Sequence, residues 1–310
     1  MKVESLRKAY GDALVALGDK DNRIVALEAD LGKSTMSIAF GKKYPDRYFQ
    51  MGIAEQNMIS TAAGLALTGK IPFASSFAVF SSGRPYDQIR SSIAIPNLHV
   101  IICGSSAGLS DYGDGKTHQS IDDMALMRVL PHMTVLCPCD AHEVHQMMKA
   151  ALTCKGPVYI RICRADLPVL TESETSYSIG KMIELRSGKD IVIFACGVMV
   201  SQSLKAAEIL AKQNIDAKVV NLSTIKPLDV KRLRVQVKGM KAVITAEEHN
   251  KYCGMGSAVA EVLCETGIPI GMVAIDDCFG TSAENYDKLL EAYHLMPEDI
   301  AAKALSMLRK

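Results

Sequence analysis

Glu55 heads the stretch EQNMISTAAGLAL, whose later positions Ala62, Ala63, Gly64 and Ala66 are small and apolar. A carboxylate there either complements the positive end of a helix dipole or, if buried, has a raised pKa and can hold and exchange a proton near neutral pH. A second group lies in SSAGLSDYGDGKTHQS, where Gly113 and Gly115 flank Asp114, and His118 follows close behind. Glycine lets backbone approach a ligand, and an Asp and a His at that spacing suit one polar substrate, although the same composition also describes a plain loop. Phe77 and Phe80, in FASSFAVFSSG, read by pattern alone as core aromatics, and their spacing of three does not decide a ring-stacking role. His142 and His145 have no third ligand nearby and read as surface residues. Glu247, Glu248 and His249, at a strand end, read as a solvated loop.

The elements that carry these residues follow from hydrophobic periodicity. Short runs rich in Val, Ile and Phe alternate with longer stretches of helical period, which predicts an α/β chain with a largely parallel sheet. Strands are expected at 23–29, 71–77, 98–103, 134–137 and 158–162, with helices at 5–17, 55–67, 85–95 and 141–152 between them. The alternation breaks in the polar stretch DLPVLTESETSYSIGKMIELRSGKD, which contains Pro168 and Gly180. It restarts with strands at 191–196, 217–222, 242–246 and 272–275 and helices at 198–212 and 256–265. The pattern therefore predicts two α/β domains, 1–165 and 190–310, joined by a linker over 166–189.

Composition narrows the function classes. The 310 residues are 48% hydrophobic and 22% charged, the profile of a globular protein rather than a disordered one. Lys and Arg number 35 against 34 Asp and Glu, so the net charge of +1 gives no footprint for nucleic acid or an anionic membrane. No apolar run approaches the roughly 20 residues of a membrane span, and the opening MKVESLRKAYGDAL has no signal-like core, so a cytoplasmic location is expected. The nine cysteines show no CxxC pair, which predicts reduced, mostly buried thiols rather than a disulfide framework or zinc ribbon.

Several separated blocks, in order, resemble the C-terminal half of transketolase. They are SLRKAYGDAL, LEADLGKS, MGIAEQNMISTAAGLAL, FASSFAVF with RPYDQIR, and GDGKTHQSIDDMALMRVLPHMTVLCPCDAHEV, followed by YIRICRADLPVL. In the second domain NLSTIKPLD and AEEHNKYCGMGSAVAEVL continue the likeness. The resemblance implies a pyrimidine-binding domain with a mostly parallel sheet, followed by a smaller transketolase C-terminal domain. It also implies thiamine diphosphate as cofactor and transfer of a two-carbon ketol unit between sugar phosphates.

By this resemblance Glu55 bonds the cofactor's pyrimidine ring nitrogen, Phe77 packs on that ring, Phe80 takes the second aromatic position and Asp30 lies near the cofactor. Arg7, Ser34 and Arg164 match positions that hold the sugar phosphate, a task for which a planar guanidinium is well suited. Asp114 matches a contact to a donor hydroxyl, and His118 matches the histidine beside the donor carbonyl, where a hydrogen-bond donor stabilises developing negative charge. Two positions depart from the family pattern. Ser106 stands where transketolases commonly carry a phosphate-reaching histidine, and Gly83 where some place a third aromatic.

The family's Mg²⁺ and diphosphate site uses a GDG motif followed about 25 residues later by an Asn-rich segment. Gly113 to Gly115 has no such follower, since the later stretch reads CDAHEVHQ. No metal ligand is therefore expected in this chain, and Mg²⁺ is expected on an N-terminal partner subunit, in a two-plus-two assembly. Three alternatives share parts of the pattern: the beta subunit of a 2-oxo-acid dehydrogenase, deoxyxylulose-phosphate synthase, and a non-catalytic paralogue that binds a transketolase-like partner. The GDGKTHQ block and Arg164 favour transketolase over the first.

Overall fold

Parallel strands covered on both faces must be apolar or small along their whole length, and IVALE, IPFASSF, IICGSSA and VYIRIC meet that demand; every residue in them is buried. The structure is a computed structural model that describes residues 2–172 and 177–309. Its strands are β1 (Val3–Ser5), β2 (Ile24–Glu28), β3 (Tyr48–Gln50), β4 (Ile71–Phe77), β5 (Ile101–Ala107), β6 (Thr134–Leu136) and β7 (Val158–Cys163). They continue with β8 (Asp166–Pro168), β9 (Ile183–Arg186), β10 (Ile191–Ala195), β11 (Ala217–Asn221), β12 (Thr224–Lys226), β13 (Ala242–Asn250) and β14 (Ile270–Ile275).

The first sheet runs β12-β6-β7-β5-β4-β2-β3 and is parallel except for β12, which pairs antiparallel with β6. The second runs β14-β13-β10-β11-β9 and is parallel except for β9. This is the expected α/β architecture with two main sheets, and β1 and β8 form a separate antiparallel pair. Successive strand residues face opposite layers. Ile24, Phe73 and Ile160 pack toward helices Leu6–Gly18 and Ala141–Ala151. Leu27, Ala74 and Tyr159 pack toward helices Glu55–Leu67 and Asp123–Val129. Both apolar layers continue into the second domain, through Ile193 and Ile244 on one side and Phe194 and Val243 on the other.

Several boundaries shift from the sequence pattern for local reasons. The strand expected from 98 starts at Ile101, because the Leu98 and Val100 N–H groups are already bonded to the Ile93 and Leu98 carbonyls. The helix expected over 85–95 becomes a short helix Tyr86–Gln88 followed by a π-helical stretch Ile89–Ala94. The strand expected to stop at 246 runs on to Asn250. Within the predicted linker, residues 173–176 lie outside the described residues; before them β8 pairs with β1, and after them β9 pairs with β11. Fully buried Asp140, the N-cap of helix Ala141–Ala151, accepts from the Glu143 N–H and also from the Leu170 and Thr171 N–H groups.

Polar groups join the two domains. β12, from the second, completes the edge of the first sheet, and the Cys137 N–H donates to the Ser223 carbonyl at 2.8 Å. Buried Glu143 accepts from Asn221 Nδ2 and Ser223 Oγ. Buried Arg161 pairs with Asp123 at 3.0 Å and donates through Nη2 to the carbonyls of Ser120 and Glu248, while the Tyr159 hydroxyl also donates to Asp123. Among the described residues no helix is long and apolar enough to cross a membrane, and all nine cysteines are unpaired, five of them buried.

Candidate active site

Ligand crevices of parallel α/β sheets form outside the carboxyl ends of the strands, and the sequence-predicted residues concentrate there. Asp30 and Ser34 follow β2, Glu55 follows β3, Phe77 ends β4 with Phe80 just beyond, Ser106 lies near the end of β5 with Asp114 and His118 after it, and Arg164 follows β7. Gly52, at a φ of +69°, turns the chain from β3 toward the helix that starts at Glu55.

Glu55, 3% exposed, is buried at that helix head and not simply a solvated dipole partner. Its carboxylate oxygens accept from Arg84 Nη1 at 3.2 and 3.4 Å. The Arg84 guanidinium lies 4.5 Å from the Phe80 ring centroid. Phe80 stacks nearly parallel to Phe77, with centroids 6.1 Å apart and planes 13° apart. The His118 imidazole sits edge-on to both rings, at 6.2 Å from Phe77 and 5.2 Å from Phe80, and its Nδ1 is 3.0 Å from Thr117 Oγ1. Residues from three strand ends thus form one array of carboxylate, guanidinium, paired rings and imidazole.

A cationic cluster contacts the start of the loop that leads to His118. Half-buried Arg7 donates from Nη1 to the Ser34 backbone carbonyl at 3.0 Å, and its buried Nε has no partner. Burial, and then the charge of Arg164, pulls the Arg7 guanidinium below its usual range. Arg164 pairs with Asp111 at 3.1 Å. Burial pushes the Asp111 carboxyl above its usual range against the pull of Arg164, and Asp114 adds to the rise. Two neighbouring guanidiniums, one of them Arg7 with an unused buried donor, fit a tetrahedral oxyanion.

The remaining predicted residues are placed as follows. Ser34 offers Arg7 its carbonyl. Ser106 is fully buried at a φ of +53° and faces Asp111. Asp30, at a φ of +59°, is exposed and accepts from Gln50 Nε2 at 3.2 Å. Asp114 is exposed.

Two sequence expectations are corrected. Glu247, Glu248 and His249 are not a solvated loop: they lie in β13, each almost fully buried, because the strand end docks on the first domain. His142 and His145 are half-buried rather than superficial. His142 Nδ1 lies 2.8 Å from the Thr171 carbonyl, and burial pulls His145 below its usual range. Arg84 and Asp111 were not among the predicted site residues. The RPYDQIR block carried the first and the serine-rich loop the second, but neither spacing shows a partner so distant in sequence. Among the described residues no group of three or more His, Cys, Asp or Glu is placed to hold a metal ion.

Comparison with known proteins decides the family. The transketolase pyrimidine-binding domain matches residues 3–169, and the transketolase C-terminal domain matches residues 180–300. This chain belongs to the transketolase family. A protein of Methanocaldococcus jannaschii, provisionally named as a transketolase C-terminal section, is 41% identical over 99% of this chain and 97% of its own length. A subunit of 6-deoxy-6-sulfo-D-fructose transketolase from a Clostridium species is 40% identical over 96% of this chain and 93% of its own. A solved structure described as a split-gene transketolase, inactive beta4 tetramer, superimposes with a TM-score of 0.90 at 44% identity, covering 99% of both chains. Human transketolase is 36% identical over 87% of this chain, which matches 44% of the human protein's length.

Proposed function

We propose that this transketolase-family chain is the C-terminal subunit of a split transketolase, with a pyrimidine-binding unit over 1–165, a linker over 166–189 and a C-terminal unit over 190–310. It works in the cytoplasm with an N-terminal subunit that holds Mg²⁺ and the diphosphate, as a two-plus-two assembly. The observation that carries this reading is the array of buried Glu55, parallel Phe77 and Phe80 and edge-on His118, together with the Arg7 and Arg164 pair on the loops at the same sheet edge. A buried carboxyl group next to stacked rings fits a flat, weakly basic heteroaromatic ring such as the pyrimidine of thiamine diphosphate. Ile53, in the loop before the helix headed by Glu55, and Leu67, at that helix's end, are exposed at 74% and 73%, which suits coverage by a partner subunit.

Thiamine diphosphate, when bound, supplies the carbanion equivalent that cleaves and forms carbon–carbon bonds beside a carbonyl. Glu55, released from Arg84, would hydrogen-bond the pyrimidine ring nitrogen through a carboxyl oxygen, and Phe77 and Phe80 would offer faces that orient the ring. Asp30, exposed after β2, takes the family's position near the cofactor. His118 donates a hydrogen bond to the ketose carbonyl oxygen as charge develops there, and Asp114 accepts from a donor hydroxyl. Arg7 and Arg164, with Ser34 beside them, hold the phosphate; Ser106 faces the same loop without the reach of a histidine. In the reaction the C2–C3 bond of the ketose phosphate breaks and releases an aldose phosphate two carbons shorter. A bond then forms from the two-carbon unit to the aldehyde carbon of the acceptor, with no net oxidation.

The test is a substrate panel on the chain assembled with its partner. Transfer from a ketose phosphate to an aldose phosphate supports the reading. Turnover only of a 2-oxo acid with a lipoamide acceptor assigns the dehydrogenase chemistry instead. Turnover only of a sulfonated ketose keeps the reaction but changes the anion, an outcome the two-arginine cluster also accommodates.

A further inference from the structure

The polar groups at the carboxyl edge of the second sheet reach into the first domain. Glu248, 2% exposed near the end of β13, accepts at Oε1 from the Leu109 N–H at 2.8 Å and from the Tyr286 hydroxyl at 2.7 Å. Its Oε2 is buried without a partner. Leu109 opens the loop that runs from β5 through Asp111 and Asp114 to His118. The preceding Gly108 has a φ of +68°, and a Cβ there would collide with the Glu248 carboxyl group, so the close approach requires glycine.

One residue past Leu109, Ser110 Oγ donates to the Ala107 carbonyl and accepts from the Arg164 N–H at 3.0 Å. The next residue, Asp111, pairs with the Arg164 guanidinium. Glu248 is therefore linked to Arg164 through three consecutive loop residues. The second domain braces the far end of the same loop as well. Gln119 Nε2 donates to the Thr281 carbonyl at 2.9 Å, the Ala283 N–H donates to the Tyr112 carbonyl at 3.0 Å, and Gly115 lies against Ser282.

We propose that Glu248 is a positioning residue for the anion pocket: by holding the Leu109 N–H it fixes the loop that sets Asp111 against Arg164, so the C-terminal domain tunes affinity for the phosphorylated sugar. The sugar side of this proposal rests on the functional reading above; the loop side does not. Titration adds a signature. Burial pushes the Glu248 carboxyl up to about 7 against the pull of Arg161. The other titratable groups facing it are Asp123 and Cys163 from the first domain and Tyr286 from its own. The ionised form is the stronger acceptor for the Leu109 N–H, so the loop tightens as pH rises through neutrality.

The experiment compares the parent chain with Glu248→Ala and Glu248→Gln. In the full chain, hydrogen exchange at the Leu109 amide is expected to quicken by about tenfold or more in Glu248→Ala and to stay near the parent value in Glu248→Gln, which keeps an acceptor oxygen. In the assembled complex Glu248→Ala is expected to raise the KM for a phosphorylated ketose by about tenfold, with kcat and the KM for an unphosphorylated ketose little changed. Glu248→Gln is expected to lose the part of the KM–pH profile centred near neutrality that the parent shows. Unchanged Leu109 exchange in Glu248→Ala, or equal KM shifts for both sugars, would overturn the proposal. If Glu248→Ala does not fold, a parent-like pH profile in Glu248→Gln overturns it instead. If the parent complex transfers no ketol unit, the functional reading fails, while Leu109 exchange still decides the loop.

Discussion

At the carboxyl edge of the first sheet, Glu55 is held by Arg84, whose side chain is 53% exposed, and Arg164 by a pair that solvent still reaches. At the carboxyl edge of the second sheet, Glu247, Glu248 and His249 are buried and bonded within the protein. Glu247 accepts from the Met255 and Gly256 N–H groups, Glu248 from Leu109 and Tyr286, and His249 Nε2 from the Ala125 N–H. Both edges are the places where an α/β sheet forms ligand crevices. What separates them is docking. The second edge is closed by the first domain and its polar groups act as braces, whereas at the first, open edge the polar groups are held by partners that solvent still reaches and a ligand can displace.

This contrast predicts that damage to the closed contacts costs stability, while damage to the open edge costs activity alone. The largest effect is expected for Asp123→Ala, which strands buried Arg161 between the domains and should lower the unfolding free energy by about 3–5 kcal/mol in urea titration. A loss under about 1 kcal/mol would mean that the contact between domains is not closed to water. Next, Glu55→Gln in the assembled enzyme should reduce turnover by about a hundredfold or more, the scale of a lost acid–base group. Its unfolding midpoint should barely move, because half-exposed Arg84 finds water when its partner is neutralised. Near-parental turnover would remove Glu55 from the assigned role.

Smaller again, Arg164→Ala should raise the KM for phosphorylated sugars by about tenfold while leaving unphosphorylated sugars nearly unaffected. Equal effects on both would take Arg164 out of the phosphate site. The smallest effect is on pH dependence. Folded Glu248 titrates at about 7, against about 4.3 for a free glutamate, so between those values the native chain binds more protons than the unfolded one. Stability is then full below the lower value and is lost as pH rises toward the upper one. Burial raises Glu247 and Glu143 in the same direction. Glu248→Gln should flatten part of that slope in thermal unfolding followed across pH, and an unchanged slope would show that Glu248 does not contribute to it.

The central strands were legible because parallel strands covered on both faces must be continuous apolar runs; β2, β4, β7 and β10 stand within a residue or two of the positions the pattern predicts. The short edge strands were not. β3, β9 and β12 are three or four residues long, and β12 exists because of its pairing with β6 across the domain boundary, which no local period encodes. The burial of Glu247 to His249 was hidden for the same reason: a charged triplet reads as solvated until another domain covers it. At the candidate site, the residue types of Glu55 and His118 suggested proton and polar chemistry. Their convergence on Phe77 and Phe80 depends on bringing separate strand ends together, and the pairing of Glu55 with Arg84 is a tertiary contact that spacing does not reveal.

The central claim is that the open edge of this chain is one half of an active site. The direct measurement is ketol transfer from xylulose 5-phosphate to ribose 5-phosphate, with thiamine diphosphate and Mg²⁺ present, as a candidate N-terminal subunit is titrated into this chain. The account predicts no transfer by either subunit alone and activity that rises with the partner to a plateau at equal subunit amounts. Transfer by this chain without a partner, or none in a well-formed pair across phosphorylated and sulfonated ketoses, would contradict it.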